Sequence, residues 1–551
     1  MAQDEKTIYV YENWRGEAPT LLGRLRCGFV RGQETFSFEY DPAWLSSAES
    51  SFSLDPDLAL YRGRQYVPLN KQLFGLFSDS CPDRWGRLLM KRKEAIDARK
   101  EDRKPRKLTE SDFLLGVYDE SRMGALRFSL EEGGEFLSND KAFATPPWVN
   151  LRTLENASIA FENDESGLNE KWLRELLAPG SSLGGARPKA TVQATDGALW
   201  IAKFPSKHDE YNSGAWEKVV HDLARLCGLD VPESKLETFS KTGSTFLVKR
   251  FDRNGSRRIH FASAMTLLGK TDGASAADGS SYLDLAAFIR ANGASPRQDL
   301  VELWKRIVFS MAVSNTDDHL RNHGFLLTPT GWRLAPLYDV NPVPSGDRLS
   351  LNVSEYDNTI DLELALEVAD YFGLAPQEAE QAAEEVCKTV SGHWERLAGQ
   401  YGLSRGAIEY NIVGIKDSSG DMTQTEEFIR RTQDIDFKVF GGKDTLIYAT
   451  LAHGGVGAVC TTANYMPDLV VSVYNAYLKG NPRQALEYQF KLNPIRLSMD
   501  KTSFPVATKD MANMLHMDVG IPIRPSLPTA EDSPAYVLMQ NELEKAGLLE
   551  H

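Results

Sequence analysis

A polar run that closes an amphipathic segment constrains the fold of this chain more than any other feature. Apolar residues recur at helical spacing between Leu300 and Met311, which predicts a core helix. The run that follows, residues 314–322, reads SNTDDHLRN, and Tyr338-Asp339 comes a short hairpin later. A core helix holds the loop after it in a fixed place, so we expect these polar side chains to form one site.

The residue types in this run fit the chemistry of ATP-dependent phosphoryl transfer. That reaction needs one carboxylate to accept the proton of a substrate hydroxyl, and a carboxylate and an amide oxygen to hold Mg²⁺ on the phosphates. Asp317 fits the first role, and Asn322 with Asp339 fits the second. A lone Asp and Asn are also typical of a plain polar turn, so companion motifs decide between the two interpretations.

Two upstream motifs stand in the order that a kinase requires. Residues 180–189, GSSLGGARPK, form a small-residue loop whose backbone N–H groups can approach phosphate oxygens because glycine lacks a Cβ atom. Residues 199–205, LWIAKFP, read as a strand with Lys203 near its end, from which a buried lysine can pair with the α- and β-phosphates. Taken singly, the first motif also fits a turn and the second an edge-strand lysine.

Five motifs in this order resemble the HipA family of serine/threonine kinases, the toxin components of bacterial toxin-antitoxin pairs. They are SSLGGARPK, WIAKFP, LVKRFDR at residues 247–253, SNTDDHLRNHGFL and LAPLYDVNP at residues 334–342. Their joint occurrence is specific, and the resemblance extends over roughly residues 1–410. It implies an α+β kinase-like (HipA-like) fold with a helical C-terminal lobe, and ATP and Mg²⁺ as cofactors.

The resemblance also implies a role for each matching residue. Asp317 becomes the catalytic aspartate, Asn322 and Asp339 the Mg²⁺ ligands, and Lys203 the lysine that binds the ATP phosphates. The other implied cofactor-binding residues are Ser182, Gly184, Gly185 and Arg250. Ser182 is in addition the implied autophosphorylation site, with Ser181 as the neighbouring alternative. A phosphoserine carries nearly two negative charges and could not lie beside a bound triphosphate, so this modification would silence the kinase.

The same resemblance implies partners, and composition limits them further. Family relatives phosphorylate aminoacyl-tRNA synthetases, so a protein substrate of that kind is expected. A HipB-like helix-turn-helix antitoxin would connect the chain to DNA only indirectly, and the formal net charge of −15 argues against direct coating of nucleic acid. The sequence lacks a long apolar run, a signal region and any C-x-x-C pattern, so we expect a cytoplasmic protein with reduced cysteines and no membrane partner.

The chain changes character near Tyr410. From Asn411 onward, short apolar runs and helical segments alternate as in a parallel α/β unit. This part resembles the carboxy-terminal half of the dihydrodipicolinate synthase and N-acetylneuraminate lyase family of (β/α)₈ barrels. The resemblance implies that Lys416, at the end of the sixth barrel strand, is the Schiff-base lysine that attacks pyruvate, and burial would free its amine by lowering its pKa.

Barrel strands one to five have no counterpart in the sequence. A TIM barrel needs eight strands to close its interior, so we expect an incomplete α/β segment, a TIM-barrel half, that lacks most of the lyase site and could promote oligomerisation. The expected regions are an N-terminal subdomain (1–150), a kinase N-lobe with the phosphate loop (151–255), a helical C-lobe with the catalytic loop (256–410) and the partial barrel (411–551).

Three functional hypotheses remain open. The first is an ATP- and Mg²⁺-dependent serine/threonine protein kinase. The second is a pyruvate-dependent aldolase or lyase that works through Lys416. The third is an inactive kinase-like scaffold that binds an antitoxin or forms oligomers through the barrel fragment. The kinase hypothesis leads because all of the residues that handle phosphate in that chemistry have a candidate in the sequence.

Overall fold

A computed structural model describes residues 5–16, 18–47, 52–139, 145–163, 176, 187–343, 346–403, 414–433, 437–503, 506–522 and 527–549. The chain divides into two units, Met1–Ile408 and Glu409–His551. The change of character that the sequence shows near Tyr410 lies beside this division.

Alternating apolar residues build the first sheet. Ile8 and Val10 are fully buried on one face, because successive side chains of a strand point to opposite faces. The sheet is antiparallel, in the order β4-β3-β2-β1-β5. Its strands are β1 (Lys6–Glu12), β2 (Thr20–Val30), β3 (Gln33–Tyr40), β4 (Gln65–Tyr66) and β5 (Leu126–Ser129). The accompanying helices are α1 (Pro42–Leu45), α2 (Gly75–Ser78), α3 (Arg84–Lys100) and α4 (Glu110–Gly116).

A second antiparallel sheet presents Lys203. Helix α5 (Leu151–Asn163) precedes it, and helix α6 (Ser213–Leu226) lies between its second and third strands. The strands are β6 (Lys189–Gln193), β7 (Leu199–Lys203), β8 (Ser234–Glu237) and β9 (Thr245–Lys249), in the order β6-β7-β9-β8. Lys203 lies at the end of β7, opposite Phe246 of β9. The predicted strand with Lys203 near its end is confirmed.

The rest of the first unit is mainly helical and carries the catalytic loop. The helices are α7 (Ala264–Leu267), α8 (Tyr282–Asn292), α9 (Pro296–Ala312), α10 (Leu362–Glu367) and α11 (Pro376–Gln400). The strands are β10 (Arg253–Asn254), β11 (Arg257–Arg258), β12 (Phe261–Ser263), β13 (Gly324–Thr328) and β14 (Gly331–Leu334). Trp304 and Ile307 of α9 are fully buried, so α9 is the predicted core helix, and β13 with β14 is the predicted hairpin.

The second unit contains three parallel strands and a cluster of helices. Strands β15 (Gly414–Asp417), β16 (Lys438–Gly441) and β17 (Gly457–Ala458) pair in that order. The helices are α12 (Met422–Thr432), α13 (Ile447–Ala452), α14 (Pro467–Leu478), α15 (Pro482–Ser498), α16 (Val506–Met514) and α17 (Pro534–Lys545). The predicted alternation of strands and helices in a partial barrel is confirmed. Across both units, the helices in the described ranges are all too short or too polar to cross a membrane.

Candidate active site

Lys203 joins two carboxylates at the end of β7. Its Nζ atom lies 2.5 Å from Oε1 of Glu217 and 2.6 Å from Oδ1 of Asp339. The side chains of Lys203 and Glu217 are 9% and 6% exposed, whereas that of Asp339 is 28% exposed. The ammonium group therefore holds Asp339 against the sheet, although Asp339 lies 136 positions further along the chain. Electrostatic attraction between these groups is strong because little water screens it.

The protonation states follow from this geometry. Burial alone would lower the pKa of Lys203, but the two carboxylates outweigh it and raise that pKa above its ordinary value. Burial opposes the negative charge of Asp339, yet Lys203 outweighs it and lowers the pKa of Asp339 to about 2. For Glu217, burial has a larger effect than the neighbouring ammonium group of Lys203, so the pKa of Glu217 is raised. The site thus holds a firmly charged lysine and a firmly ionised Asp339.

Glu217 is the functional candidate that the sequence analysis missed. It lies in the middle of α6, on a helix whose neighbouring residues Trp216, Val219 and Val220 are buried. A glutamate within the buried part of an amphipathic helix was the available signal. In kinases, the lysine that binds the phosphates is paired with a glutamate of the helix that follows its strand.

The catalytic loop is a tight turn after α9. Ser314 has a positive φ of 54°, so the chain cannot continue as a right-handed helix after α9. The backbone N–H of His319 donates to the carbonyl of Asp317 at 3.0 Å, and that of Asn322 donates to the carbonyl of His319 at 2.8 Å. The Asn322 side-chain Nδ2 also donates to the Asp317 carbonyl, at 2.9 Å. Asn322 therefore closes the turn with its nitrogen, which directs its amide oxygen away from that carbonyl.

The two adjacent aspartates of the loop point to different environments. The side chain of Asp317 is 76% exposed and lines a cleft together with Arg84, Asp272 and Arg321. Asp318 is only 2% exposed. Of these two aspartates, Asp317 is the one whose carboxylate reaches the open cleft, and its catalytic role stays a prediction.

Hydrogen bonds connect the Asp339 segment with the predicted catalytic loop. The hydroxyl of Tyr338 donates to the carbonyl of Arg321 at 2.7 Å. The backbone N–H of Asn341 donates to Oδ1 of Asn315 at 3.3 Å. Asp339 itself adopts a positive φ of 58°, an uncommon conformation for a residue other than glycine that is often found at functional sites. The structure thus unites the predicted residues Lys203, Asp317, Asn322 and Asp339 in one region.

The donor chemistry of this region fits Mg²⁺. A carboxylate and an amide oxygen are oxygen ligands of the kind that Mg²⁺ prefers, and they leave room for phosphate oxygens and water. Asp339 is ionised, and the amide nitrogen of Asn322 is already occupied, so each of these residues can offer an oxygen. Beside them, a cavity with apolar walls contains Lys203, Glu217 and Asp339, together with Ile201 and Val248. Apolar walls with a few charged groups are typical of sites for small molecules and cofactors.

The guanidinium group of Arg250 is engaged by neighbouring protein groups. It lines the same cavity, but Nε and Nη2 donate to Asp252 at 2.9 and 2.6 Å, and Nη1 donates to the carbonyl of Ser121 at 2.6 Å. The group is buried, and it bonds both to Asp252 and to backbone carbonyls in the N-terminal part of the first unit. In this structure Arg250 is a structural connection between the second sheet and the region of Ser121, and its part in cofactor binding stays a prediction.

The predicted phosphate loop lies outside the described residues. This applies to Ser181, Ser182, Gly184 and Gly185. The chain that leaves the loop is firmly anchored, because Arg187 forms two hydrogen bonds with Asp209 at 2.9 and 2.6 Å. Lys189 follows, and its Nζ lies 3.1 Å from Asp83, with both side chains almost completely buried. Neither anchor was identified from the sequence.

Lys416 lies on β15, as predicted, but its side chain is exposed. The desolvation that the sequence interpretation required for a reactive amine is therefore missing. The physical reason is that, within the described residues, β15 belongs to a sheet of three strands, which cannot form the closed barrel interior that would cover the side chain.

Comparison with known proteins identifies both units. Residues 181–394 match the family described as HipA-like C-terminal domain, and residues 405–542 match the dihydrodipicolinate synthetase family. HipA of Shewanella oneidensis MR-1, solved with HipB and its operator DNA, has a TM-score of 0.50 at 18% identity, with 73% of this chain and 93% of that chain covered. The first unit thus has a kinase-like fold.

Curated relatives match the second unit's family. The 4-hydroxy-tetrahydrodipicolinate synthase of Methanopyrus kandleri is 32% identical over 213 residues, which cover 37% of this chain and 70% of that protein. The enzyme of the same name from Methanospirillum hungatei is 38% identical over 122 residues, but these cover only 42% of its length. The chain therefore joins a HipA-like C-terminal domain to a carboxy-terminal part that belongs to the dihydrodipicolinate synthetase family.

Proposed function

We propose that this protein is an ATP- and Mg²⁺-dependent serine/threonine protein kinase of the HipA toxin type. The observation that carries the proposal is the position of the Lys203 ammonium group between Glu217 and Asp339, at 2.5 and 2.6 Å. This is the ion-pair arrangement that a kinase must assemble before it can transfer phosphate. The HipA-like domain and the fold shared with HipA support the proposal.

Each residue contributes a separate step. Lys203 would hold the α- and β-phosphates, and Asn322 and Asp339 would hold Mg²⁺, whose charge would neutralise that of the phosphates. Asp317 would accept the proton of the substrate hydroxyl, because its exposed carboxylate lies in the open cleft. The turn closed by Asn322 keeps the proton acceptor and the amide ligand at a fixed separation.

Regulation and partners form the finer part of the proposal. Ser182, with Ser181 as the alternative, is the proposed autophosphorylation site in the loop before β6. The structure of Shewanella oneidensis HipA contains HipB and operator DNA, which supports a HipB-like antitoxin as partner here and contact with DNA only through it. The proposed substrate is a translation protein such as an aminoacyl-tRNA synthetase in the cytoplasm.

The direct test is incubation of the full chain with ATP and Mg²⁺, followed by mass spectrometry. Phosphate on Ser182 or Ser181 that disappears in Asp317→Ala supports the proposal. Asp370→Ala serves as a matched control, because it removes an exposed carboxylate of the helical lobe. If the wild-type chain transfers phosphate neither to itself nor to water or added proteins, the kinase proposal is wrong.

A second candidate function is a Schiff-base aldolase or lyase that works through Lys416. The synthase relatives of the second unit favour it. Reduction with borohydride in the presence of pyruvate would then add a three-carbon group to Lys416. Other exposed lysines such as Lys443 act as internal controls. The third candidate, an inactive scaffold, would keep its complex with an antitoxin but bind no ATP.

A further inference from the structure

The catalytic loop contains a second aspartate that the proposed mechanism does not use. Asp318 is 2% exposed, although it directly follows the exposed Asp317. Burial of a carboxylate is costly unless other groups pair with it and hydrogen-bond to it. The surroundings of Asp318 must therefore offset this cost, and they show what the residue holds in place.

Side chains from three parts of the first unit converge on Asp318. The hydroxyl of Tyr282, at the start of α8, donates to Oδ2 at 2.6 Å. Nε2 of His323, just after the loop, lies 3.0 Å from Oδ1. Ser310 of α9 contributes a longer hydrogen bond to Oδ2 at 3.5 Å. Both carboxylate oxygens are thus held, and the side chains of Tyr282 and His323 are fully buried.

The neighbours of Asp318 also determine its charge. Burial opposes ionisation, but His323 and the hydroxyl of Tyr282 outweigh it and lower the pKa of Asp318. The rings of Tyr282 and His323 meet edge to face with their centroids 5.7 Å apart, so each restricts the orientation of the other. Asp318 is therefore a rigid, charged anchor below the loop.

The anchor acts on the two functional residues beside it. Asp317 and Asp318 are adjacent, and their side chains point to opposite sides of the turn, one into the cleft and one into the core. Asn322 is tied to the carbonyl of Asp317 by its Nδ2. A shift of Asp318 would therefore move the Asp317 carboxylate and the Asn322 amide together.

We infer that Asp318, held by Tyr282 and His323, is the positioning residue that aims Asp317 into the cleft and keeps the turn to Asn322 closed. Its catalytic consequence rests on the proposed kinase function, whereas its effect on the loop rests on the observed contacts alone. Asp318 itself touches no reacting atom in this scheme, because it is buried away from the cleft.

The kinetic test compares two tyrosine variants of the full chain. Tyr282→Phe removes the hydroxyl that holds Asp318, and Tyr40→Phe removes a buried hydroxyl of the N-terminal sheet, which donates to the carbonyl of Leu58 at 3.4 Å. Because a displacement of about 1 Å can cost up to about a hundredfold in rate, Tyr282→Phe should lower kcat for ATP turnover by about tenfold or more. KM for ATP should stay within about twofold, since the Lys203 and Asp339 contacts remain.

Asp318→Asn is the second variant, because it keeps the shape of the side chain and removes its charge. It should show the same fall in kcat at unchanged KM. Equal kcat values in Tyr282→Phe and Tyr40→Phe, or a change in KM alone, would overturn the inference. So would a loss of rate in Tyr282→Phe that only matches its loss of folded protein.

Hydrogen exchange tests the loop without reference to any activity. In Tyr282→Phe, the backbone amides of His319 and Asn322 should exchange about tenfold faster than in Tyr40→Phe, because a hydrogen bond to a charged group has been lost. The amides of α9 should keep their wild-type exchange. A uniform increase over α9 and the loop, or no increase in the loop, refutes the positioning role. Faster exchange in the loop combined with a wild-type chain that turns over no ATP refutes the kinase proposal instead.

Discussion

Replacement of Lys203 by methionine should convert a stabilising cluster into a repulsive one. The variant keeps the length of the side chain but removes the cation between Glu217 and Asp339. Asp339 has a pKa of about 2 in the folded protein. An unfolded aspartate titrates near 3.9, so this difference corresponds to about 2.6 kcal/mol at pH 7. Removal of one member of a buried ion pair costs about 3–5 kcal/mol, and the partial exposure of Asp339 places the expected loss near about 3 kcal/mol.

The stability lost in Lys203→Met should depend on pH, because the carboxylates of the cluster titrate differently in the wild type and in the variant. In the wild type, the folded-state pKa of Asp339 is lowered, so its contribution is complete above about pH 4 and is lost as the pH falls through about 2. In Lys203→Met, two carboxylates face each other without a cation, so their pKa values rise above those of the unfolded chain. Protonation then relieves the repulsion. The stability difference between wild type and variant should therefore shrink between pH 7 and pH 5.

Tryptophan fluorescence can measure this loss in the relevant unit alone. All ten tryptophans lie between Trp14 and Trp394, within the first unit. Urea unfolding followed by their emission should show the loss at pH 7 and a smaller loss at pH 5. Lys241→Met, which removes an exposed lysine from the turn between β8 and β9, should change stability by less than about 0.5 kcal/mol.

A double variant separates repulsion from lost packing. Lys203→Met combined with Glu217→Gln leaves only one carboxylate in the cluster, so it should be more stable at pH 7 than Lys203→Met alone. Parallel stability curves for the wild type and Lys203→Met between pH 7 and pH 5 would refute the electrostatic argument. A double variant that is no more stable than the single one would do so as well.

Three further results are expected. Asp317→Asn should slow phosphate transfer by about 10²–10⁴-fold while ADP affinity, measured by calorimetry, stays unchanged, because this exposed side chain acts only on the acceptor proton. The pKa of His221 is lowered to about 4 by burial, so stability should fall as the pH drops from about 6.5 toward 4, by about 3 kcal/mol, and His221→Gln should flatten that fall in urea titrations. Tyr401→Phe removes a hydrogen bond to Asp222 of α6 and should lower fluorescence-detected stability by about 1.5 kcal/mol.

Local sequence pattern predicted those parts of the first unit that depend on neighbouring residues. The strand with Lys203, the core helix α9 and the hairpin β13–β14 follow from periodicity and turn residues. The sequence did not reveal Glu217 because its role depends on Lys203, which lies 14 positions away on a different element. For the same reason, the sequence did not distinguish the buried Asp318 from the exposed Asp317 by contacts. Tertiary packing, which no local pattern records, decides both cases.

The exposure of Lys416, which the sequence interpretation did not anticipate, has a related cause. Its pKa argument assumed burial, and burial at the end of a barrel strand comes from the other strands that close the barrel. Arg250 shows the opposite case, since a buried arginine was expected to bind a ligand but is saturated by Asp252 and by the carbonyl of Ser121. Motifs specify which residue types are present. The neighbours that make those residues reactive or inert are set by the whole fold.

The second unit explains how a partial barrel can remain folded without that interior. Gly441 at the end of β16 and Gly455 in the short segment before β17 allow a close approach to Thr450 of α13, because a Cβ atom at either position would lie 2.5 Å from the Thr450 side chain. The main core lies among helices α13 to α17 and includes Leu451, Val473 and Met511. Packing of this unit thus depends on contacts between the sheet and one helix and on contacts among helices, not on a closed barrel. The packing of the second unit therefore does not require that Lys416 be buried, and Lys416 is exposed. The buried and charge-paired Lys203 site is the stronger candidate for catalysis.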